Sequence, residues 1–290
     1  MRHLLAADRV RFGRRRDLWI LIALVPVILA VMFVADFNGV TSPPQFDFFM
    51  EPPDPVAEAE LRAQMLAEWR QQMLVQVPAF AFPASILKVA GNFVPVILLS
   101  IYLATALVAG EFEWGTVRTV HLTSSRGRML AVRVGVVVIL IGVVVGIGLL
   151  FGAIIPFVLS VEGAPLQRYA APVPEFWAQL ANRLVVLLPF IAIPVLMAVV
   201  ARSIGAAFLL TLLLFVADAA VTGAPIWSGS PAPWVPAITI SGSVSRLIGG
   251  DDSPQALLAS AAVSFGALLA WAVIPVAAAI ARFRRLDLNE

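Results

Sequence analysis

Long apolar runs, separated by short charged or proline-containing segments, limit the fold of this chain more than any other feature. Several of them exceed the roughly 18 residues that a helix needs to cross about 30 Å of hydrocarbon at 1.5 Å per residue. Charged residues make up only 13% of the 290 residues, which is about half the share usual in soluble domains. The sequence therefore predicts an all-α polytopic membrane protein.

Six transmembrane helices are predicted from these runs, and they cover residues 18–35, 85–108, 129–159, 184–201, 203–221 and 257–280. The fourth and fifth are interrupted only around Arg202, and a single helix through both would be too long for one crossing. We therefore expect a tight turn at Arg202.

The first run also has the length of a signal-peptide core, but Ala35-Asp36-Phe37 is a poor cleavage site, so we expect an uncleaved anchor.

The distribution of charge predicts the orientation of the spans. With the N-terminus inside, 14 of the 20 basic residues fall on the inner side and 12 of the 18 acidic residues on the outer side. Cytoplasmic loops of helical membrane proteins carry the excess of Lys and Arg. Both termini are therefore expected in the cytoplasm, with the protein in the plasma (inner) membrane.

Two segments outside the spans have an amphipathic pattern. Residues 1–17 mix apolar side chains with six arginines, and we interpret them as an interfacial elbow helix, with a simple topology signal as the alternative. The outer segment 36–83 contains a helix expected to begin at Asp54-Pro55, an N-cap followed by proline. Its apolar stripe recurs at four-residue steps: Leu61, Met65, Trp69 and Met73. Such a helix covers the bundle or lies on the outer leaflet; recruitment of substrate is the alternative.

The sequence lacks the motifs of a membrane enzyme. The only lysine, Lys88, is followed by valine, so there is no phosphate-binding loop of the Gly-x-x-x-x-Gly-Lys-Ser/Thr type. His3 and His121 lie far apart and the chain has no cysteine, which disfavours a metal site. We expect no catalytic residue, metal or cofactor on this chain and no nucleic-acid partner.

Polar residues within predicted spans are candidates for function, because each is costly in hydrocarbon. Ser85, Lys88 and Asn92 share one predicted helix face and are assigned to a substrate pathway, with snorkelling of Lys88 to the headgroups as the alternative. Asp218 is expected at the outer surface rather than paired within the bundle. The serines between residues 241 and 245 are expected in an outer loop.

Glycines crowd the third predicted span. Gly142 and Gly146 form one pair at four-residue spacing, and Gly148 and Gly152 form another. Small residues at this spacing let helices approach closely. We expect packing within the chain, with contact between subunits as the alternative.

A charged loop, residues 109–128, separates the second and third predicted spans. It contains Gly110-Glu111-Phe112-Glu113-Trp114-Gly115-Thr116-Val117-Arg118-Thr119, followed by Ser124-Ser125-Arg126 and then by Arg133. This sequence resembles the permease subunits of ABC-2 type exporters, in which a Glu-x-Gly-Thr segment follows the second span and an Arg-led stretch opens the third. Lysine is more usual in that family at the position of Arg133, and the outer segment 36–83 is longer than in its minimal members.

The resemblance implies a transport subunit that does not hydrolyse ATP itself. A separate ATP-binding cassette ATPase, carrying ATP and Mg²⁺, would act on the loop, and a second permease chain, identical or related, would complete the pathway. The residues assigned to ATPase coupling are Glu111, Glu113, Trp114, Gly115, Thr116 and Arg118. The acidic side chains are expected to face basic residues of the ATPase, and Trp114 is expected to anchor the contact.

Three other interpretations remain at this stage. The chain could instead be an ion-coupled secondary transporter or a channel that uses Lys88 and Asp218 as coupling charges. It could be a membrane anchor without transport. The loop itself could be an ordinary cytoplasmic turn with solvated charges.

Overall fold

The computed structural model describes residues 16–43, 55–113, 126–223, 234–249 and 260–285. Six helical segments in these ranges are long and apolar enough to cross a membrane: Leu18–Thr41, Val94–Glu113, Gly127–Phe157, Phe176–Ala201, Ile204–Gly223 and Ala261–Arg285. The prediction of an all-α polytopic membrane protein is confirmed. Of the predicted elbow helix, residues 1–15 lie outside the described ranges.

The helices of the described residues are α1 (Arg16–Thr41), α2 (Pro55–Gln76), α3 (Ala84–Gly91), α4 (Val94–Val108), α5 (Gly110–Glu113), α6 (Arg126–Ile154), α7 (Phe176–Val185), α8 (Pro189–Ala201), α9 (Ile204–Gly223), α10 (Val235–Ile238), α11 (Ile240–Gly249) and α12 (Ala261–Arg285). Short 3₁₀ turns cover Val77–Phe80, Ile155–Phe157 and Leu166–Tyr169. One small hairpin pairs β1 (Ser160–Val161) with β2 (Ala164–Pro165) in antiparallel register.

Contacts within the chain divide it into two compact units. Unit 1 holds the described parts of Met1–Val25, Phe93–Gly146 and Trp177–Glu290. Unit 2 holds those of Pro26–Asn92 and Ile147–Phe176. The charged segment that follows the second span therefore belongs to unit 1, and the polar residues around Lys88 belong to unit 2.

The second span begins later than the sequence predicts. The apolar run expected to form one helix over 85–108 is divided into α3 and α4, with Asn92 as the C-cap of α3. Pro95 lies in the first turn of α4 and has no N–H to donate to a preceding carbonyl, so it opens a new helix rather than continuing the old one. The candidate span runs from Val94 to Glu113, and Ser85, Lys88 and Asn92 all precede it.

Helix α2 packs along one face in unit 2. Met65 and Trp69 are half-buried, and Met73 and Val77 are buried. These positions continue the four-residue stripe predicted from the sequence, whereas Leu61 at its start is exposed. Taken together, α2 with its following turn and α3 form a helix pair bent by 89°, which has the length and composition of a broken span or a re-entrant loop.

An exposed ion pair joins α2 to the hairpin of unit 2. Arg70 donates a hydrogen bond to Glu162 over 2.7 Å, and Glu162 lies in the tight turn between β1 and β2 with φ of 49°. The hydrogen bond and the charge of Glu162 raise the pKa of Arg70 above its ordinary value. Because both side chains are exposed, this contact contributes little to stability.

The glycines of α6 fall into two groups. A Cβ on Gly152 would lie 3.0 Å from a methyl group of Val89 and 3.1 Å from the carbonyl oxygen of Ser85, so α3 approaches α6 closely here. A Cβ on Gly148 would lie 2.8 Å from Leu29 of α1. At Gly142 and Gly146 it would meet no neighbouring heavy atom of the described chain within 4 Å. Packing within the chain therefore uses the second glycine pair.

The core of unit 1 contains a helix that the sequence analysis did not predict. Helix α11 covers the serine-rich stretch expected in a loop, and Ser243 and Arg246 are buried with it. Its apolar residues Ile240 and Leu247 join a buried cluster with Val186, Ile193 and Leu268. Serines at 241, 243 and 245 obscured the helical spacing of these two apolar residues.

The fourth and fifth spans are separated by a tight turn. Helix α8 ends at Ala201, and Arg202 adopts the left-handed conformation with φ of 55° and ψ of 13°. Helix α9 begins two residues later, at Ile204. The expected turn at Arg202 is thus present.

Candidate coupling site at the end of the second span

A buried ion pair joins α5 to α6. Arg133 donates a hydrogen bond from Nη2 to Oε1 of Glu111 over 2.8 Å, and the two side chains are only 7% and 5% exposed. A charge that is buried to this extent is tolerated only with a partner of opposite charge and good hydrogen-bond geometry. The pair therefore fixes the end of the second span against the first two turns of the third.

A second carboxylate links α5 to α9. Oε1 of Glu113 accepts a hydrogen bond from the backbone N–H of Ile204 over 2.7 Å. Ile204 is the first residue of α9, where backbone N–H groups have no partner within the helix. An acidic side chain is favoured at such a helix start by both the hydrogen bond and the helix dipole. Glu113 therefore caps α9, although it is itself exposed.

An aromatic contact links α5 to α12. The rings of Phe112 and Phe283 meet edge to face with their centroids 5.8 Å apart, and Phe283 is buried. Beside them, the guanidinium of Arg284 lies against Gly127 of α6, where a Cβ would be only 2.8 Å from its Nε. Helix α5, four residues long, is thus attached to three other helices of unit 1.

The structure places the residues assigned to ATPase coupling in two groups. Glu111 and Glu113 are described, and both are engaged within the chain. Trp114, Gly115, Thr116 and Arg118 lie outside the described residues. Glu111 was expected to face a basic residue of the ATPase. In the structure the carboxylate of Glu111 is buried and bonded to Arg133. We therefore assign Glu111 an internal role.

Two of the three residues assigned to a substrate pathway converge on one carboxylate. In unit 2, Nζ of Lys88 lies 3.7 Å from Oδ2 of Asp36, and the amide of Asn92 donates to the same oxygen over 3.2 Å. The ammonium also lies 4.2 Å from the centre of the Phe80 ring, a cation–π geometry. Lys88 and Asn92 are therefore both engaged with Asp36, near the end of α1.

Ser85 does not join this cluster. It is fully buried, next to Gly152 of α6. Its hydroxyl has no hydrogen-bond partner among the described residues. The predicted polar strip is thus divided into a packed serine and a lysine–asparagine pair on Asp36.

Asp218 holds the start of α11. Its two carboxylate oxygens accept the backbone N–H of Ile240 over 3.0 Å and that of Ser241 over 2.7 Å, and the Ser241 hydroxyl also donates over 2.7 Å. One turn along α9, the Thr222 hydroxyl lies 2.7 Å from that of Thr239. The sequence analysis expected Asp218 at the outer surface; it is half-buried and caps a helix.

Asp36 was not predicted as the partner of Lys88, and Arg133 was named only through the family resemblance. A signal for Asp36 was present, because a carboxylate at the end of one predicted span can match a cation near the same end of the next. The same signal was present for Glu111 and Arg133, which lie at the adjoining ends of the second and third predicted spans, but it did not distinguish Glu111 from Glu113 as the partner. Among the described residues no group of three or more His, Cys, Asp or Glu side chains could hold a metal ion.

Comparisons with known proteins return no match: no protein-family model, curated protein sequence or solved structure matches this chain.

Proposed function

We propose that this chain is the permease subunit of an ATP-binding cassette exporter, in which it forms the substrate pathway and is driven by a separate ATPase subunit. The ATPase acts on the loop of residues 109–128. ATP and Mg²⁺ bind to that partner, and a second permease chain completes the pathway in the plasma (inner) membrane. The resemblance of Glu113-Trp114-Gly115-Thr116 to the family motif supports this assignment.

The observation that carries the proposal is the attachment of α5 to three further helices. Glu111 bonds to α6, Glu113 to α9, and Phe112 packs on α12. The chain passes from α5 directly into the segment that starts at Trp114. A displacement of that segment by a partner would therefore reach the second, third, fifth and sixth spans together, as a change between inward-open and outward-open states requires.

The contacts of Lys88 and Asp218 favour this function over an ion-coupled carrier or channel. A coupling charge has to exchange partners as the ion binds and leaves. Lys88 is held by Asp36 and Phe80, and Asp218 is held by backbone N–H groups at the start of α11. These contacts support structural roles for both residues.

The test is affinity purification of the tagged chain from native membranes in mild detergent, with mass spectrometry of the chains that copurify. The variant is Trp114→Ala, since Glu113 also caps α9 and its replacement would disturb folding. Trp177→Ala is the matched control, because Trp177 is 77% exposed and lies at the start of the fourth span, the end predicted to be on the outer side. The proposal expects an ATPase with a phosphate-binding loop to copurify with the wild type and the control, and to be depleted at least several-fold from Trp114→Ala.

Absence of any such ATPase from a folded wild-type sample would contradict the proposal and favour the carrier or channel. Equal recovery of the ATPase with all three proteins would retain the exporter and remove Trp114 from the contact. Size-exclusion profiles of the purified proteins distinguish lost binding from lost folding.

A further inference from the structure

The last turns of α12 have two faces of different character. Phe283 is buried against Phe112, and Arg284 lies beside Gly127, so this side is packed within unit 1. Arg282 and Arg285 are three residues apart, project from the opposite side and are exposed. Neither forms an ion pair with another described residue. Asp287 and Glu290, which follow in the sequence, lie outside the described ranges.

A groove leads to these two arginines. It is an open cavity of about 500 Å³, lined by Ala278, Ala281, Arg282 and Arg285. The alanines supply the indentation, because their side chains leave room that larger residues would fill. At 100° per residue, Ile274 lies on the same side of the helix within an arc of about 100°, and it is 65% exposed. The groove is therefore apolar toward the middle of the span and cationic at its end.

This combination fits a phospholipid better than a soluble ligand. A guanidinium binds phosphate through two parallel hydrogen bonds, and an acyl chain requires an apolar surface continuous with the hydrocarbon. Arginines at a span end that is predicted to be cytoplasmic lie where anionic lipids are concentrated. We propose that this groove binds one anionic phospholipid, with its headgroup phosphate between Arg282 and Arg285 and one acyl chain along Ala281, Ala278 and Ile274.

The test measures lipid binding to the purified full-length chain in detergent by native mass spectrometry. The probes are phosphatidylglycerol and phosphatidylcholine with identical acyl chains. Loss of two cations near an anionic headgroup predicts that Arg282→Gln/Arg285→Gln binds phosphatidylglycerol roughly 30-fold more weakly than the wild type. Binding of phosphatidylcholine should fall by a much smaller factor, because its choline cation offsets the charge of its own phosphate. Arg168→Gln removes an exposed cation of unit 2 and is expected to leave the affinity for both lipids unchanged.

A second variant separates the groove from the charges. Ala278→Leu keeps both arginines and fills the indentation, so it should weaken binding of both lipids by several-fold. The residue is exposed, which makes this variant compatible with folding.

The proposal that this groove binds an anionic phospholipid is contradicted if the double variant keeps wild-type affinity for phosphatidylglycerol. It is also contradicted if the double variant loses affinity for both lipids equally. It is also wrong if Arg168→Gln weakens binding as much, or if Ala278→Leu has no effect. A change in oligomeric mass with unchanged lipid affinity would instead assign the face to a second copy of the chain. None of these outcomes depends on the presence of an ATPase.

Discussion

At the scale of single residues, the ion pair of Glu111 and Arg133 should be the most sensitive contact of unit 1. Glu111→Gln removes the carboxylate that bonds to the buried guanidinium of Arg133, and breaking a buried pair in this way costs about 3–5 kcal/mol. We expect a fall of several degrees in the unfolding temperature of the purified protein. Replacing both residues by apolar ones, as in Glu111→Leu/Arg133→Met, should recover part of the loss.

Thermal unfolding followed by size-exclusion chromatography measures this, with Glu68→Gln on the exposed face of α2 as the control. Unfolding of Glu111→Gln at the wild-type temperature would show that the pair does not stabilise the end of the second span.

The sequence could indicate that both residues matter, since both belong to the stretch that resembles the exporter family. It could not show that they bond to each other, because the contact crosses the loop between two spans and depends on how the helices pack.

At the scale of helices, the two glycine pairs of α6 give a direct contrast. Gly152→Ala places a methyl group against Val89 and the backbone of α3, and overpacking of this kind costs about 1–3 kcal/mol. At Gly146→Ala the new methyl group meets no neighbouring heavy atom of the described chain within 4 Å, so the variant should be neutral or stabilised by up to about 1 kcal/mol, because alanine is the better helix former. The unfolding temperature of Gly152→Ala should therefore fall, whereas that of Gly146→Ala should stay the same or rise. Equal shifts would contradict the close approach of α3 to α6.

Asp218 controls a second element, α11. Asp218→Asn removes the negative charge from the start of that helix and one of its carboxylate acceptors, at a cost of about 1–2 kcal/mol. Ser241→Ala removes only the hydroxyl contact and should cost less. Hydrogen exchange of residues 240–249 measures the effect, and we expect faster exchange in the order Asp218→Asn, Ser241→Ala, wild type. Unchanged exchange in Asp218→Asn would remove its role as the cap of α11.

Helices could be predicted from the sequence where a single property, such as hydropathy or apolar spacing, determines them. Length and hydropathy predicted six spans, and the four-residue stripe predicted the buried side of α2 beyond Leu61. The break before α4 was missed because the apolar run continues through Asn92 and Phe93, and hydropathy does not register the N–H that Pro95 lacks. Helix α11 was missed because its serines and Arg246 resemble a loop, and their burial depends on the spans around them.

At the scale of the whole molecule, the charge distribution predicts that α2 and the start of α6 lie on opposite sides of the membrane. The chain has no cysteine, so single cysteines can be labelled without background. In intact cells, a maleimide that does not cross membranes should label Glu60→Cys and should not label Arg128→Cys until the cells are permeabilised. Both positions are exposed in the fold. Labelling in the reverse pattern would contradict the predicted orientation.

Photo-crosslinking in native membranes shows directly whether an ATPase contacts the segment after α5. A photoreactive amino acid is introduced at Thr116, and at Glu60 as the control on the predicted outer side. We expect a covalent adduct between the Thr116 variant and an ATPase that carries a phosphate-binding loop, and none from the Glu60 variant. If the Thr116 variant is inserted at wild-type levels and yields no such adduct, or if Glu60 yields it equally, the account of coupling through this loop is contradicted.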